Sequence, residues 1–174
     1  MDARDAARTI VVKMAEMAAV SCDPEHAVVL KTTLGSCVGV ILADKNKTIA
    51  GLAHIMLPKR IANDEALGKY ADTALPALLA RMKEQRLSGT LQLEAWVIGG
   101  ACMFQMDGGA SINDIGNRNI EAVLKTIEKL NIPVVYRDTG GKHGRTVIYD
   151  CRSGEVTVRS LKKFEAHQKD RTDG

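Results

Sequence analysis

The chain has 174 residues, 45% of them apolar and 26% charged, and a formal net charge of +3. That length suits one domain with a sizeable core. An aromatic share of 3% excludes a surface built on stacked rings, and the mild charge, with no basic patch interleaved with aromatics, argues against nucleic-acid binding. No apolar run reaches transmembrane length, so no membrane insertion is expected. The mixed-charge start "MDARDAARTI" is not a secretory signal, and the expected location is the cytoplasm.

A single domain over 1–174 is expected, with an ordered core over about 10–162 and frayed polar termini. "AVVLKT" (27–32) reads as a first strand and "VGVILAD" (38–44), rich in Val and Ile, as a second. "DKNK" is a turn and "IAGLAHIML" (49–57) a third strand, so the second and third form a hairpin. A loop, "PKRIANDEALGK", leads to a helix over about 70–86, with Ala71, Leu75, Leu78, Leu79 and Met82 on one face. Asp72 and Thr73 are its expected N-caps, which would put Pro76 in or near the first turn.

"LQLEAWVIGG" is a strand ending in paired glycines, and "MDGGAS" a turn. A second helix is expected over about 115–130, its apolar stripe Ile120, Val123, Leu124, Ile127 and Leu130. "IPVVYRD", "RTVIYD" and "EVTVRS" give three more strands. Strand runs joined by short turns favour antiparallel pairing. The fold class is therefore α+β: a layered, largely antiparallel, β-sandwich-like core with two main helices packed outside.

Four cysteines, Cys22, Cys37, Cys102 and Cys151, form no C-x-x-C pair and no zinc spacing, so neither a disulfide framework nor a metal site is expected. Cys37 stands out because it follows Gly35 and Ser36 where a loop enters an apolar strand. Glycine permits a sharp turn and close substrate approach, and consecutive N–H groups there are candidates to bind an oxyanion. The plain alternative is a small buried thiol at a strand start.

His54 lies in "GLAHIMLP", on the hairpin partner of the strand that follows Cys37. A thiol needs a base within reach to become a thiolate near neutral pH. A lone histidine in an apolar strand is more often a core group, but the hairpin brings these two together. Thr32 and Thr33 are candidates to hold the imidazole's tautomer, although threonine is also simply a good strand residue.

Cys102, among small and apolar residues, reads as packing, and Cys22 and Cys151 as incidental. Gly99 and Gly100 are expected to permit close backbone approach at a strand end. Tyr70 and Asp72 are open to a site-lining or a capping role. "DTGGKHGR" lacks the phosphate-loop pattern.

Six segments in order, "LGSCVGVIL", "GLAHIMLP", "GKYADTAL", "IGGACMF", "IGNRNIEAV" and "DTGGKHGRTVIYD", resemble the chemoreceptor glutamine deamidases of the CheD family. The match runs from about Val28 to Arg159, with His54 seventeen positions after Cys37. The resemblance implies a fold similar to deamidating toxin domains and a cytoplasmic cysteine hydrolase. That enzyme would turn selected glutamines of methyl-accepting chemotaxis receptors into glutamates, with no cofactor.

On this resemblance Cys37 is the nucleophile, His54 the base, and Thr32 or Thr33 the group that orients it, with Thr32 preferred. Ser36 and Gly35 are candidate oxyanion or site-lining residues. A CheC-type phosphatase is an implied further partner. The rival readings are an adaptor that mainly binds that phosphatase or receptors, and a thiol peptidase or transamidase.

Overall fold

A computed structural model of the protein describes residues 6–86, 89–102 and 114–160. The expected "MDGGAS" turn and the polar C-terminal tail lie outside them. The elements in order are β1 (Arg8–Val11), β2 (Met17–Ser21), β3 (Val28–Leu34), β4 (Val38–Asp44), β5 (Ile49–Ile55), a short 3-10 turn (Leu67–Lys69), α1 (Ala71–Gln85), β6 (Leu93–Gly99), α2 (Ile115–Lys129), β7 (Val134–Thr139), β8 (Arg145–Asp150) and β9 (Glu155–Ser160).

The strands form a four-stranded sheet ordered β1-β3-β8-β9 and a five-stranded sheet ordered β2-β5-β4-β6-β7. Most pairs are antiparallel, as expected, but β1 with β3 and β6 with β7 run parallel. Each parallel pair needs a crossover, supplied by β2 and by α2 respectively.

β4 and β5 are the centre of the molecule, and every residue in both is buried. Continuous apolar runs, rather than alternation, are what a strand covered on both faces requires. Val38, Val40, Leu42, Ala53 and Ile55 pack against Leu75, Leu78 and Met82 of α1 and Val123 and Ile127 of α2. Ile41, Ala43, Ala50 and Leu52 face Leu30, Leu34, Val147 and Tyr149 of the four-stranded sheet. The layers are thus helices, five-stranded sheet, four-stranded sheet, which is the α+β layering anticipated.

Three expectations need correction. Arg8 and Thr9, read as frayed, are strand residues that pair with Val28 and Val29. Neither Asp72 nor Thr73 caps α1. The helix begins at Ala71, the Asp72 carboxylate accepts from the Arg60 N–H at 3.0 and 3.2 Å, and the Thr73 hydroxyl donates to the Leu67 carbonyl at 2.7 Å. Pro76 is therefore the sixth helical residue and not in the first turn, so one i→i−4 bond is missing there. Finally, Cys22 and Cys151 are not strangers: their thiols are hydrogen-bonding neighbours between the sheets, which lowers the pKa of Cys22 and raises that of Cys151.

Candidate active site

Cys37 sits in the three-residue link between β3 and β4, at the end of the inter-sheet layer. That link is tightly held. The Gly35 carbonyl accepts from Ala101 N–H at 2.9 Å, the Cys37 carbonyl from Gly100 N–H at 2.8 Å, and the Ser36 carbonyl from Asn119 Nδ2 at 3.2 Å. Among the described residues, the N–H groups of Ser36 and Cys37 donate to no loop or cap carbonyl.

The paired glycines do what their positions suggested. Gly99 has φ +110°, and a Cβ there would stand 2.4 Å from the Cys37 carbonyl oxygen. Only glycine tolerates both that φ and that approach.

His54 pairs with Gly39 across the hairpin. Side chains alternate along a strand, so Cys37, two residues before Gly39, continues the face on which His54 projects. Packing agrees, since Cys37 lies against the cluster between the two sheets. A diagonal pair of this kind has its Cβ atoms roughly 7–8 Å apart or somewhat less. Among the described residues no hydrogen bond joins the Cys37 sulfur to His54.

The imidazole is fixed from its other side. Thr32 Oγ1, on β3, lies 2.8 Å from His54 Nδ1 and 2.7 Å from the Val12 carbonyl. A carbonyl can only accept, and a hydroxyl has one proton to give. The hydroxyl therefore donates to Val12, and Nδ1–H donates to the hydroxyl. A longer contact from Nδ1 to the Val12 carbonyl, 3.4 Å, is consistent with a proton on Nδ1. This assigns the tautomer by hydrogen-bond logic and leaves Nε2 as the free acceptor.

The backbone of His54 is clamped as well, its N–H on the Glu16 carbonyl and its carbonyl on the Ala15 N–H, both at 3.0 Å. Thr33 points away: it is exposed, and its hydroxyl meets that of Thr146 at 3.3 Å. Of the two threonines left open by the sequence, Thr32 is the one that touches the histidine.

Burial governs the charges. His54 is pushed below its ordinary 6.5 chiefly by desolvation, with the Val12 carbonyl and Glu16 opposing. The Cys37 thiol is pushed above 9.0 by desolvation alone. Both shifts favour the neutral forms of the thiol and the imidazole. His54 borders a cleft of about 400 Å³ walled by Val11, Lys13, Met14, Lys31 and Thr33, while Cys37 lies outside that wall. A larger cavity of about 500 Å³ at the β1–β2 turn includes neither residue. Among the described residues no group of His, Cys, Asp or Glu side chains is gathered to hold a metal ion.

Of the other sequence candidates, Tyr70 is fully buried with its hydroxyl on Asp64 at 2.5 Å, and Asp72 serves the Arg60 backbone, so neither joins the site. Sequence reading missed Asn119, a fully buried amide on α2. The signal was available: Asn119 stands four residues before Val123, on the stripe that the apolar residues define.

A half-buried thiol on the sheet face that carries an imidazole of fixed tautomer is a candidate pair for attack on a carbonyl centre. Comparison with known proteins gives the family. The family model described as "CheD chemotactic sensory transduction" matches residues 56–160. The "Chemoreceptor glutamine deamidase CheD" of Halalkalibacterium halodurans is 39% identical over 164 residues, 90% of this chain and 96% of that one. The "Probable chemoreceptor glutamine deamidase CheD" of Methanococcus vannielii is 44% identical over 131 residues, 75% of this chain and 83% of that one. The counterpart of the same name in Clostridium kluyveri is 44% identical over 130 residues, 74% and 80% of the two chains. The chain belongs to the CheD family.

Proposed function

We propose that this protein deamidates glutamine side chains of chemoreceptors by thiol catalysis, with Cys37 as nucleophile and His54 as base. The observation that carries the reading is the chain Nδ1–H to Thr32 hydroxyl to Val12 carbonyl, at 2.8 and 2.7 Å, which leaves Nε2 unprotonated on the face that Cys37 shares. The names of the relatives supply the substrate class.

His54 Nε2 takes the thiol proton as the sulfur attacks the glutamine amide carbon. Because both groups are neutral at rest, proton transfer accompanies attack and no ion pair stands in advance. The oxyanion is received by the N–H groups of Ser36 and Cys37, whose own carbonyl-side neighbours are pinned. Imidazolium gives its proton to the leaving nitrogen, ammonia departs, and a thioester remains. Water, deprotonated by His54, then attacks the thioester, the sulfur leaves with a proton, and glutamate is released. Each turnover replaces a neutral side chain with an anion, which alters charge repulsion within a helical receptor.

The test is incubation with a chemoreceptor cytoplasmic fragment, reading ammonia and intact mass. The reading requires about one dalton added per site, equal ammonia, and no chain cleavage. Binding without ammonia release would favour the adaptor role, with a CheC-type phosphatase or the receptor as the bound partner; cleavage would favour a peptidase.

A further inference from the structure

Asn119 is fully buried on the inner face of α2, and both Nδ2 hydrogens are used. One bonds the Ser36 carbonyl at 3.2 Å, the other the Met56 carbonyl at 2.8 Å. Both acceptors are carbonyls, so the amide has only one workable orientation: flipped, it would set Oδ1 against two oxygens. In the orientation adopted, Oδ1 is buried and, among the described residues, has no partner. An apolar side chain of similar size would avoid that cost. The amide is kept at a position where packing alone argues against it.

Its two acceptors explain the choice. Ser36 directly precedes Cys37, and Met56 follows His54 by two residues. One side chain therefore ties the segment bearing the thiol to the strand bearing the imidazole. The carbonyls of Gly35 and Cys37 are held by Ala101 and Gly100, but of the three donors only Asn119 also reaches the β5 chain.

Peptide geometry adds a second consequence. Among the described residues no peptide bond is cis, so the Ser36 carbonyl and the Cys37 N–H point in opposite directions from one plane. Drawing that carbonyl toward α2 turns the Cys37 N–H away from it. The helix can hold this grip because Gly116 lets it approach closely. A Cβ on Gly116 would stand 2.4 Å from the Gly100 carbonyl oxygen, and Gly100 is the residue whose N–H holds Cys37.

We propose that Asn119 is a positioning residue for the deamidation. It sets the Cys37 thiol against His54 through the carbonyls of Ser36 and Met56, and it aims the Cys37 N–H at the oxyanion. The inference rests on Cys37 and His54 being the reacting pair, and the experiment separates the two.

Asn119→Leu keeps the volume and removes both donors; Asn119→Ala is the companion should leucine not fold, with folding checked by thermal melting. Against the receptor fragment, kcat falls about 100-fold, as for loss of an oxyanion donor, while KM stays within about twofold. The second arm needs no substrate: alkylation of Cys37 by iodoacetamide, followed by peptide mass. Wild type reacts faster at neutral pH than His54→Ala, and the folded Asn119 variant drops to the His54→Ala rate.

A folded variant with wild-type kcat and wild-type alkylation overturns the proposal. So does a kcat loss that only tracks a lower melting midpoint, with alkylation unchanged. Equal alkylation of wild type and His54→Ala, or ammonia release by Cys37→Ala, would instead bring down the reacting pair itself.

Discussion

Thr32 and His54 come from different sheets, and the 2.8 Å contact between Oγ1 and Nδ1 is where those sheets exchange a hydrogen bond inside the core. The Val12 carbonyl, 2.7 Å from the same hydroxyl, makes the contact directional. Thr32→Val keeps the shape and removes the hydroxyl, leaving Nδ1 only the 3.4 Å contact to Val12. Activity in the ammonia assay is expected to fall about 10–100-fold, up to the lower end of what general-base catalysis supplies. Thr32→Ser restores most of it. Thr33→Val, at an exposed hydroxyl that meets Thr146 and not His54, stays near wild type.

With His54 as the proposed base, its burial is expected to set the acid limb of the reaction. Its pKa is lowered from 6.5, so half of the activity is lost at a pH below 6.5, not at it. The same shift acts on stability. The unfolded chain takes up the proton first, so the contribution of neutral His54 is complete above about 6.5. It is lost progressively as pH falls through the folded-state value, and is constant below that. Profiles of kcat/KM and of the melting midpoint between pH 4 and pH 8 check both. An acid limb above 6.5 would contradict the assignment.

The thiol predicts the alkaline side. Burial raises Cys37 above 9.0, so its iodoacetamide alkylation rate keeps climbing beyond pH 9 with no plateau near neutrality. A plateau reached by pH 7 would mean a standing thiolate, contrary to the desolvation that raises this thiol.

Gly99 tests the backbone. Alanine there meets an unfavourable φ of +110° and a carbonyl oxygen at 2.4 Å. The strain alone costs about 1–3 kcal/mol, and relief requires moving the Cys37 carbonyl. Gly140, with φ +80° and nothing within 4 Å of a Cβ, is the control. Both variants lower the melting midpoint, but only Gly99→Ala is expected to lower kcat beyond what its folded fraction explains.

The hairpin pairing of β4 and β5 was legible because a short turn left little choice of partner, and it sets Gly39 opposite His54. Both long helices were legible from their stripes to within one residue at each end. What could not be read was anything set by a distant partner. β1 and β2 are four and five residues long, too short to stand out in isolation, and are strands because β3 and β5 offer them edges. Thr32 and Thr33 are equivalent in composition, and only the second sheet distinguishes them. Asn119 reads as an interruption of an apolar stripe until the carbonyls it bridges are in place.

The central claim is that a single sulfur does the chemistry. The most direct measurement is ammonia release from a chemoreceptor fragment by Cys37→Ala and Cys102→Ala side by side, with product masses. Loss of both ammonia and the one-dalton increments in Cys37→Ala, with turnover largely retained in Cys102→Ala, is the predicted result. An active Cys37→Ala beside an inactive Cys102→Ala would contradict it.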